Sequence, residues 1–303
     1  MELANTRFNN VLSQIKQEKT KRRRELLEAL RKNKWALASL YIIIALCAMS
    51  LVSFIYTPYD PFQFNLAIAR QPPSLSHPLG TDELGRDILS RIMYGGRYTL
   101  GISFISVTLG ALIGVALGIL AGYNGGKVDT VIMRIVDIML AFPTILLAIA
   151  LVAAVGQGVK SLILAISITT FPVYARLVRG TVLQIVNEDY ITAAKLIGLS
   201  SYKIMVKHVL PNTMSVIIVQ MSYYMGLSIL LASALGFLGL GVPPPKPEWG
   251  TMIGGGRTYF FSTPHIVVIP GIFIFVTSLA FNLLGDGLRE ALDPKLRGLL
   301  KRG

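Results

Sequence analysis

The chain has 303 residues, of which 53% are hydrophobic and 15% are charged, and its mean hydropathy is +0.60. An ordinary soluble domain carries about 25% charged residues, so this composition excludes one and favours a membrane protein. The formal net charge is +13, and the single cysteine, Cys47, allows neither a disulfide framework nor a thiolate metal site. The three histidines are scattered along the chain, which excludes the common metal-binding motifs.

Apolar stretches long enough to cross a bilayer recur along the chain. A spanning helix needs about 20 mostly apolar residues. The pattern predicts an all-α membrane protein with six transmembrane helices, the first being a retained anchor because no small-residue cleavage site follows it. The predicted spans are roughly 35–56, 98–122, 135–155, 161–180, 213–240 and 266–285.

The distribution of Lys and Arg predicts the orientation. Alternate segments sum to 22 basic residues on one side and 7 on the other, when Arg176 and Arg179 at the end of the fourth predicted span are counted with the loop that follows it. Because cytoplasmic segments are enriched in Lys and Arg, both termini are predicted to be cytoplasmic. The chain then divides into a basic, lipid-facing segment 1–34, an anchor helix 35–56, an external loop 57–97, a five-helix core 98–285 that includes a cytoplasmic loop 181–212, and a tail 286–303.

The external loop contains the pattern of a capped amphipathic helix. Acidic residues fill the first turn after Thr81, and Leu84, Ile88 and Ile92 recur at four-residue spacing. This pattern predicts a helix from Thr81 to Met93 that lies at the membrane interface ahead of the second span.

The second predicted span carries small residues at a strict spacing of four, which places them along one helix face. Such a face permits close backbone contact with another helix, so we expect helix packing there. The residues are Ser106, Gly110, Gly114, Gly118 and Gly122.

The fifth predicted span is rich in uncharged polar side chains. Such groups suit a water-filled route for a polar solute, and they equally suit hydrogen bonds between helices, so both interpretations stay open. The candidates for lining a pathway are Gln220, Ser222, Tyr223, Tyr224 and Ser228.

Ionisable residues avoid the middle of the predicted spans. Arg134 and Asp137 lie near the cytoplasmic end of the third span, and Arg176 and Arg179 lie near that of the fourth. A charge costs about 2.5–3.5 kcal/mol at mid-span and less near the interface. An ion-coupled secondary carrier would place acids or histidines at mid-membrane, so it is the more distant alternative. No nucleophile–base pair supports a membrane enzyme.

The cytoplasmic loop between the fourth and fifth spans has the pattern of two short helices. The acids Glu188-Asp189 begin the first helix, and Gly198 forms its C-cap. Ser200-Ser201 supplies a cap for the second, which Pro211 ends or redirects. The small surface of Ala193-Ala194 suits insertion into a groove of a cytoplasmic partner, and the alternative is a helix pair that lies on the lipid.

The same loop resembles the coupling loop of permeases from ATP-binding-cassette (ABC) importers. The family pattern is Glu-Ala-Ala, three residues, Gly, nine residues, Ile-x-Leu-Pro, and this loop matches its spacing throughout. Thr192 replaces the Glu, for which Glu188-Asp189 one turn upstream could substitute, and His208 replaces the Ile. The resemblance implies that the ATPase contacts include Glu188, Asp189, Tyr190, Thr192, Ala193, Ala194, Gly198, Ser200, His208, Leu210 and Pro211.

Further segments resemble the C-type permease subunit of dipeptide and oligopeptide importers, and the likeness covers about residues 35–298. It implies a type I ABC importer-like permease fold with cytoplasmic coupling helices, in a prokaryotic cell membrane. The matching segments are His77–Asp87, Leu238–Pro243 with Trp249-Gly250, and Asn282–Arg289 through Asp293-Pro294.

The resemblance implies that the chain forms half of a translocation pathway. A homologous second permease subunit, two ABC ATPase subunits and an external solute-binding protein would complete the transporter. The chain has no Gly-x-x-x-x-Gly-Lys-[Ser/Thr], since Gly126-Lys127 is followed by Val128, so ATP and Mg are expected on the partner ATPases and no cofactor on this chain.

Peptides are the first choice of solute, with nickel chelates, glutathione and oligosaccharides as alternatives. External residues near the fifth and sixth spans are candidates for contacting the binding protein or gating the outer mouth, and simple turn structure is the alternative interpretation. They are Trp249, Gly254, Gly255 and Gly256.

Overall fold

A computed structural model of the protein describes residues 33–292. The predictions for the basic segment before residue 33 and for the tail after residue 292 lie outside the described residues. The helices are α1 Lys34–Val52, α2 Ile88–Asn124, α3 Gly126–Ala141, α4 Thr144–Val155, α5 Val159–Val186, α6 Asp189–Leu196, α7 Ser201–Ile204, α8 Leu210–Phe237, α9 Trp249–Gly256 and α10 His265–Leu292.

The number of membrane crossings depends on one bent helix pair. Within residues 33–292, five helices are long and apolar enough to cross a membrane, and α3 with α4 makes a sixth crossing if the pair is one span. The two helices meet at 95°. The break lies at Phe142, whose backbone is extended (φ −85°, ψ 138°), because the residue before a proline avoids the helical region and Pro143 has no N–H. The predicted third span is therefore bent.

The helix predicted from Thr81 begins later, at Ile88. Thr81 and Asp87 form an isolated antiparallel bridge, and Asp82 Oδ1 accepts two backbone N–H groups inside the turn at 2.9 Å. Asp87 is the N-cap, since its side chain accepts from the backbone N–H of Ser90 at 2.7 Å. Aspartate side chains can accept backbone hydrogen bonds in a turn or at a helix start, and here Asp82 stabilises a turn. The predicted interfacial helix and the second span are thus parts of one helix.

The small-residue face of α2 packs against α5. A Cβ atom at Gly118 would lie 2.6 Å from a backbone oxygen of α5, and one at Gly122 would lie 2.8 Å from a valine side chain of that helix. Gly110 and Gly114 meet α5 in the same way, and the carbonyl of Ser106 accepts a hydrogen bond from an α5 serine at 3.1 Å. Such close backbone approach requires residues without bulky side chains. The two helices form the centre of the bundle.

Ion pairs join α3 to α5. The Arg179 guanidinium donates to both carboxylate oxygens of Asp129, one of them at 2.6 Å, and Arg176 pairs with Asp137. The Arg176–Asp137 pair lies about one helical turn from the middle of both helices, and the Arg179–Asp129 pair lies nearer their ends. A movement of α5 would therefore be transmitted to α3.

The first helix is joined to the last. α1 packs against α10 and α2. Asn33 caps α1 by accepting from the backbone N–H of Ala36 at 3.0 Å, and its amide donates to Glu290 Oε2 at 2.8 Å. The start of α1 and the end of α10 therefore lie together. α10 continues to Leu292, so residues 286–292 of the predicted tail are helical.

Candidate functional site

The loop between α5 and α8 begins with the short helix α6, as the acidic start and Gly198 predict. Asp189 lies in its first turn and Lys195 in its last, and both charges favour the helix dipole. The backbone N–H of Leu199 donates to Ala194 O at 3.1 Å, and Gly198 has φ +80°. This C-terminal motif uses glycine because the left-handed backbone is strained for other residues. Gly198 therefore reverses the chain between the two helices.

One face of α6 anchors the loop to the bundle. Ile191 is fully buried and Ala194 is 5% exposed, in a cluster that includes Val182 of α5 and Ile217 of α8. Ala193, one position earlier, is exposed. Of the two alanines predicted as one contact surface, Ala193 is therefore accessible and Ala194 is not. The remaining predicted contacts on the exposed side of α6 are Glu188, Asp189, Tyr190 and Thr192.

The tip of the loop exposes apolar side chains that the sequence analysis missed. Leu196, Ile197 and Tyr202 are 83%, 76% and 72% exposed. An exposed cluster of this kind marks a contact surface for another molecule. The signal was present in the sequence, because the apolar pair Leu196-Ile197 directly precedes Gly198, where the chain turns. We name these three residues the apolar tip.

The second half of the loop continues into α8 without a break. One helix runs from Ser201 to Phe237, and Ser200 occupies its N-cap position without a side-chain hydrogen bond. Residues Met205–Val209 form a π-turn, which is wider than an α-turn. The prediction that Pro211 ends or redirects the helix is wrong, since this wider turn directly before it accommodates a residue that has no N–H to donate.

Side-chain contacts hold the two halves of the loop together. The Asn212 amide donates to Tyr190 Oη at 3.3 Å and to His208 O at 2.6 Å. The rings of Tyr190 and His208 lie 6.5 Å apart. Burial raises the pKa of Tyr190, and the charge of Glu188 adds to this effect. Tyr190 and His208 therefore stabilise the loop internally.

The predicted pathway residues on α8 have different surroundings. Gln220 and Tyr223 line a cavity of about 470 Å³, while Tyr224 packs against Tyr174 with ring centroids 5.3 Å apart. Ser222 and Ser228 donate to carbonyls of their own helix, and Ser228 is 1% exposed. The structure thus brings two of the five candidates to one cavity and keeps Ser228 inside the bundle.

The external candidate Trp249 is fully buried, which corrects its prediction as a contact for a binding protein. Its indole Nε1 donates to Ile92 O at 3.0 Å. Gly256 is buried against Ile266, Gly254 packs on the end of α8, and Gly255 is exposed. Trp249 therefore anchors the segment between α8 and α10 to α2.

Glu248, which the sequence analysis did not single out, is also fully buried. Its carboxylate accepts from the backbone N–H groups of Gly250 and Thr251 at 3.0 and 2.9 Å, and from Thr99 Oγ1 at 3.1 Å. Burial raises the pKa of Glu248, and the hydrogen bonds act against that shift. This carboxylate caps α9 and joins it to α2.

Comparison with protein-family models gives two matches. Residues 114–298 match the family described as binding-protein-dependent transport system inner membrane component. Residues 22–73 match the N-terminal transmembrane domain of oligopeptide transport permease C.

Curated relatives match over most of their length. The chain is 44% identical to a dipeptide transport system permease protein of Alkalihalophilus pseudofirmus, over 90% of both chains. It is 45% identical to a glutathione transport system permease protein of Pectobacterium atrosepticum, over 86% of this chain and 87% of the relative. A di/tripeptide transport system permease protein of Pseudomonas aeruginosa is 43% identical, over 90% and 92%.

Solved structures share the fold at low sequence identity. An inward-facing conformation of the MetNI methionine ABC transporter matches with a TM-score of 0.54 and 20% identity, over 66% of this chain and 95% of that one. An amino acid ABC transporter crystallised with histidines matches with a TM-score of 0.50 and 16% identity, over 68% and 99%.

Proposed function

The chain belongs to the family of inner membrane components of binding-protein-dependent transport systems, and from this premise we propose that it forms half of the pathway of a peptide importer. The family match and the apolar helices together show that the chain is a multi-pass membrane permease of the ABC importer type. In the proposed complex, a second permease subunit, two ABC ATPases and an external binding protein complete the transporter.

The observation that carries the coupling proposal is the apolar tip. Three large apolar side chains project from the loop between α5 and α8, although burial would stabilise each by about 1.5–3 kcal/mol. A short helix with an apolar end fits a groove on a partner protein. We assign this groove to the ATPase subunits, because the chain lacks a phosphate-binding loop of its own.

The exposed acids complement the apolar tip. Glu188 and Asp189 lie at the N-terminus of α6, and Thr192 occupies the position where the family pattern has an acid. In this proposal, Glu188 and Asp189 supply the negative charge that meets basic residues of the ATPase. Such rim charges mainly increase association rate and specificity.

The anchoring of α6 gives a route for movement. Its buried side packs on both α5 and α8, through Val182 and Ile217. When ATP-driven closure of the ATPases moves α6, both helices move with it, and the ion pairs of Arg176 and Arg179 transmit the change to α3. This is the proposed basis of alternating access.

The charge distribution supports placing this loop in the cytoplasm. The side that carries it holds 22 basic residues, when Arg176 and Arg179 at the end of the fourth predicted span are counted with the loop, and the opposite side holds 7. We propose that both termini share that side, in the inner membrane of a prokaryotic cell. ATP and Mg would then bind only to the partner ATPases.

The solute assignment rests on the relatives. Proteins named for dipeptide, di/tripeptide and glutathione transport match this chain at 42–45% identity. Their similarity does not rank these solutes, but all three are small peptides with free carboxylates. We propose di- and oligopeptides as the solute and glutathione as the second candidate. Uptake of each labelled solute by the reconstituted complex separates the two.

Co-purification with the ATPases tests the coupling proposal. We expect Leu196→Asp to reduce the amount of ATPase that purifies with the tagged permease by about tenfold or more, because central contacts dominate interface energies. Leu75→Asp is the matched control, since Leu75 lies in the external loop and is 104% exposed. Equal recovery of ATPase with both variants would refute the assignment of the apolar tip.

A further inference from the structure

The cavity beside α8 is lined by residues of three helices, of which Ser215 lies near the start of α8, Tyr223 at its middle and Leu292 at the end of α10. It has a volume of about 470 Å³ and lies between α5, α8 and α10. Its polar lining residues are Ser215, Gln220, Tyr223 and Arg289. Small-molecule sites have volumes of about 300–1,000 Å³ and combine apolar walls with a few polar groups. The cavity therefore has the size and lining of a site for a small ligand.

Gly285 positions the tyrosine of this cavity. A Cβ atom at Gly285 would lie 3.2 Å from Tyr223 Cε1, closer than ordinary van der Waals contact. Without a side chain there, the Tyr223 ring lies directly on α10 and its hydroxyl donates to Asp286 Oδ1 at 2.6 Å. This contact gives Gly285 and Asp286 a structural role. The proposed coupling function assigns no role to their segment, Asn282–Arg289.

Arg289 is the one ionised residue among the described lining residues of the cavity. Within residues 33–292, no carboxylate forms an ion pair with it. Its guanidinium interacts with the Tyr223 hydroxyl, whose proton is donated to Asp286. Within residues 33–292, the Tyr223 hydroxyl thus engages Asp286, while the Arg289 N–H groups have no carboxylate partner and can bind an anion. A guanidinium recognises a carboxylate through two parallel hydrogen bonds.

Building on the proposed function, we propose that this cavity is an exit subsite in which Arg289 binds the C-terminal carboxylate of the peptide and Gln220 binds its main chain. Ser215 lies one helical turn after Pro211, so a bound peptide touches the helix that continues from the coupling loop. The site would hold the peptide briefly at the inner end of the pathway before release. The subsite discriminates by the free carboxylate and not by the peptide side chains.

A cysteine in the cavity tests the subsite without relying on uptake. The background is Cys47→Ala, which removes the only native cysteine, combined with Ser215→Cys. The complete transporter is purified in lipid nanodiscs without nucleotide, and the modification rate of the new cysteine by N-ethylmaleimide is measured. A di-alanine peptide is added as the free acid or as the C-terminal amide. Comparing rates with and without peptide in the same variant cancels any effect of Arg289 on the thiol itself.

We expect the free acid to slow modification at least threefold and the amide to have less than half that effect. Arg289→Gln should abolish the protection, and Arg289→Lys should retain part of it. The matched control is Lys127→Gln, since Lys127 is exposed on the same side of the membrane and outside the cavity, and protection should persist.

Three outcomes would overturn the proposal. Equal protection by the free acid and the amide would show that Arg289 does not bind the peptide carboxylate. No protection would show that the peptide does not bind in the cavity, and if the complex still takes up peptide, the proposed transport function survives. Protection that follows the fraction of anionic lipid and not the peptide would assign Arg289 to a lipid headgroup. A complex that takes up no peptide at all would instead contradict the proposed function.

Discussion

Two loops of this permease differ in what they bury. In the segment between α8 and α10, Trp249 and Glu248 are fully buried and joined by hydrogen bonds to α2. In the loop between α5 and α8, the apolar tip of Leu196, Ile197 and Tyr202 is exposed. The buried pair fixes its segment to the bundle, whereas the side chains of the apolar tip are accessible to another molecule. The comparison therefore separates scaffold from docking element.

The largest expected difference is between two aromatic side chains. Trp249→Ala removes a buried indole and should lower the free energy of unfolding by about 3–5 kcal/mol, while Tyr202→Ala should change it by less than about 0.5 kcal/mol. Thermal unfolding of the purified complexes measures both. Similar losses for the two variants would show that Tyr202 is part of the scaffold.

Two glycines with left-handed backbones provide a second test of the difference between a buried and an exposed loop. Gly85 has φ +74°, and a Cβ there would overlap the backbone of Asn65, whereas Gly198 has φ +80° with no atom within 4 Å of its Cβ position. Gly198→Ala should cost about 1–2 kcal/mol from backbone strain alone, and Gly85→Ala should cost that plus about 1–3 kcal/mol of overpacking. Unfolding of both variants under the same conditions tests the order, and a larger loss for Gly198→Ala would contradict it.

The buried acid of the external loop predicts a pH dependence. Because the pKa of folded Glu248 is raised above its ordinary value of 4.5, ionisation of Glu248 lowers stability above the folded pKa, and this loss is recovered as the pH falls through it. The free energy of unfolding of the wild type should therefore rise relative to Glu248→Gln as the pH falls from above the raised folded pKa towards 4.5, by at most about 1.4 kcal/mol per pH unit. Parallel curves for the two proteins would show that Glu248 does not titrate in this range.

The smallest expected effect concerns the acid missing from the coupling loop. Thr192 is exposed, so Thr192→Glu should change the free energy of unfolding by less than about 0.5 kcal/mol. It should change peptide uptake by less than about twofold, because Glu188 and Asp189 already supply charge, whereas the double variant Glu188→Gln with Asp189→Asn should lower it by about fivefold. If Thr192→Glu restores uptake in the double variant, the acids act through charge; if not, they act through local structure.

The sequence was sufficient for features that local chemistry determines. Hydropathy located the spans, and the four-residue spacing of the α2 glycines matches their contact with α5. Gly198 was recognised because few residues other than glycine adopt its backbone conformation. These features depend on neighbours along the chain, which is why one sequence was enough.

Features that depend on distant neighbours were not predictable. Trp249 lies in a glycine-rich loop that looks exposed, and its burial follows from Ile92 on another helix. Asp82 caps a turn where it could equally have capped a helix. The position of Arg289 in the cavity could not be predicted, because it depends on the packing of α10 against α8.

Site-specific photo-cross-linking tests the central claim most directly. A photoreactive amino acid is placed at position 196 in the apolar tip, and in a second variant at position 75 of the external loop, in cells that express the complete transporter. The account predicts an adduct between position 196 and the ATPase subunit, and none between position 75 and that subunit. Absence of the ATPase adduct at position 196, in a complex that still takes up peptide, would contradict the assignment of this loop as the coupling element.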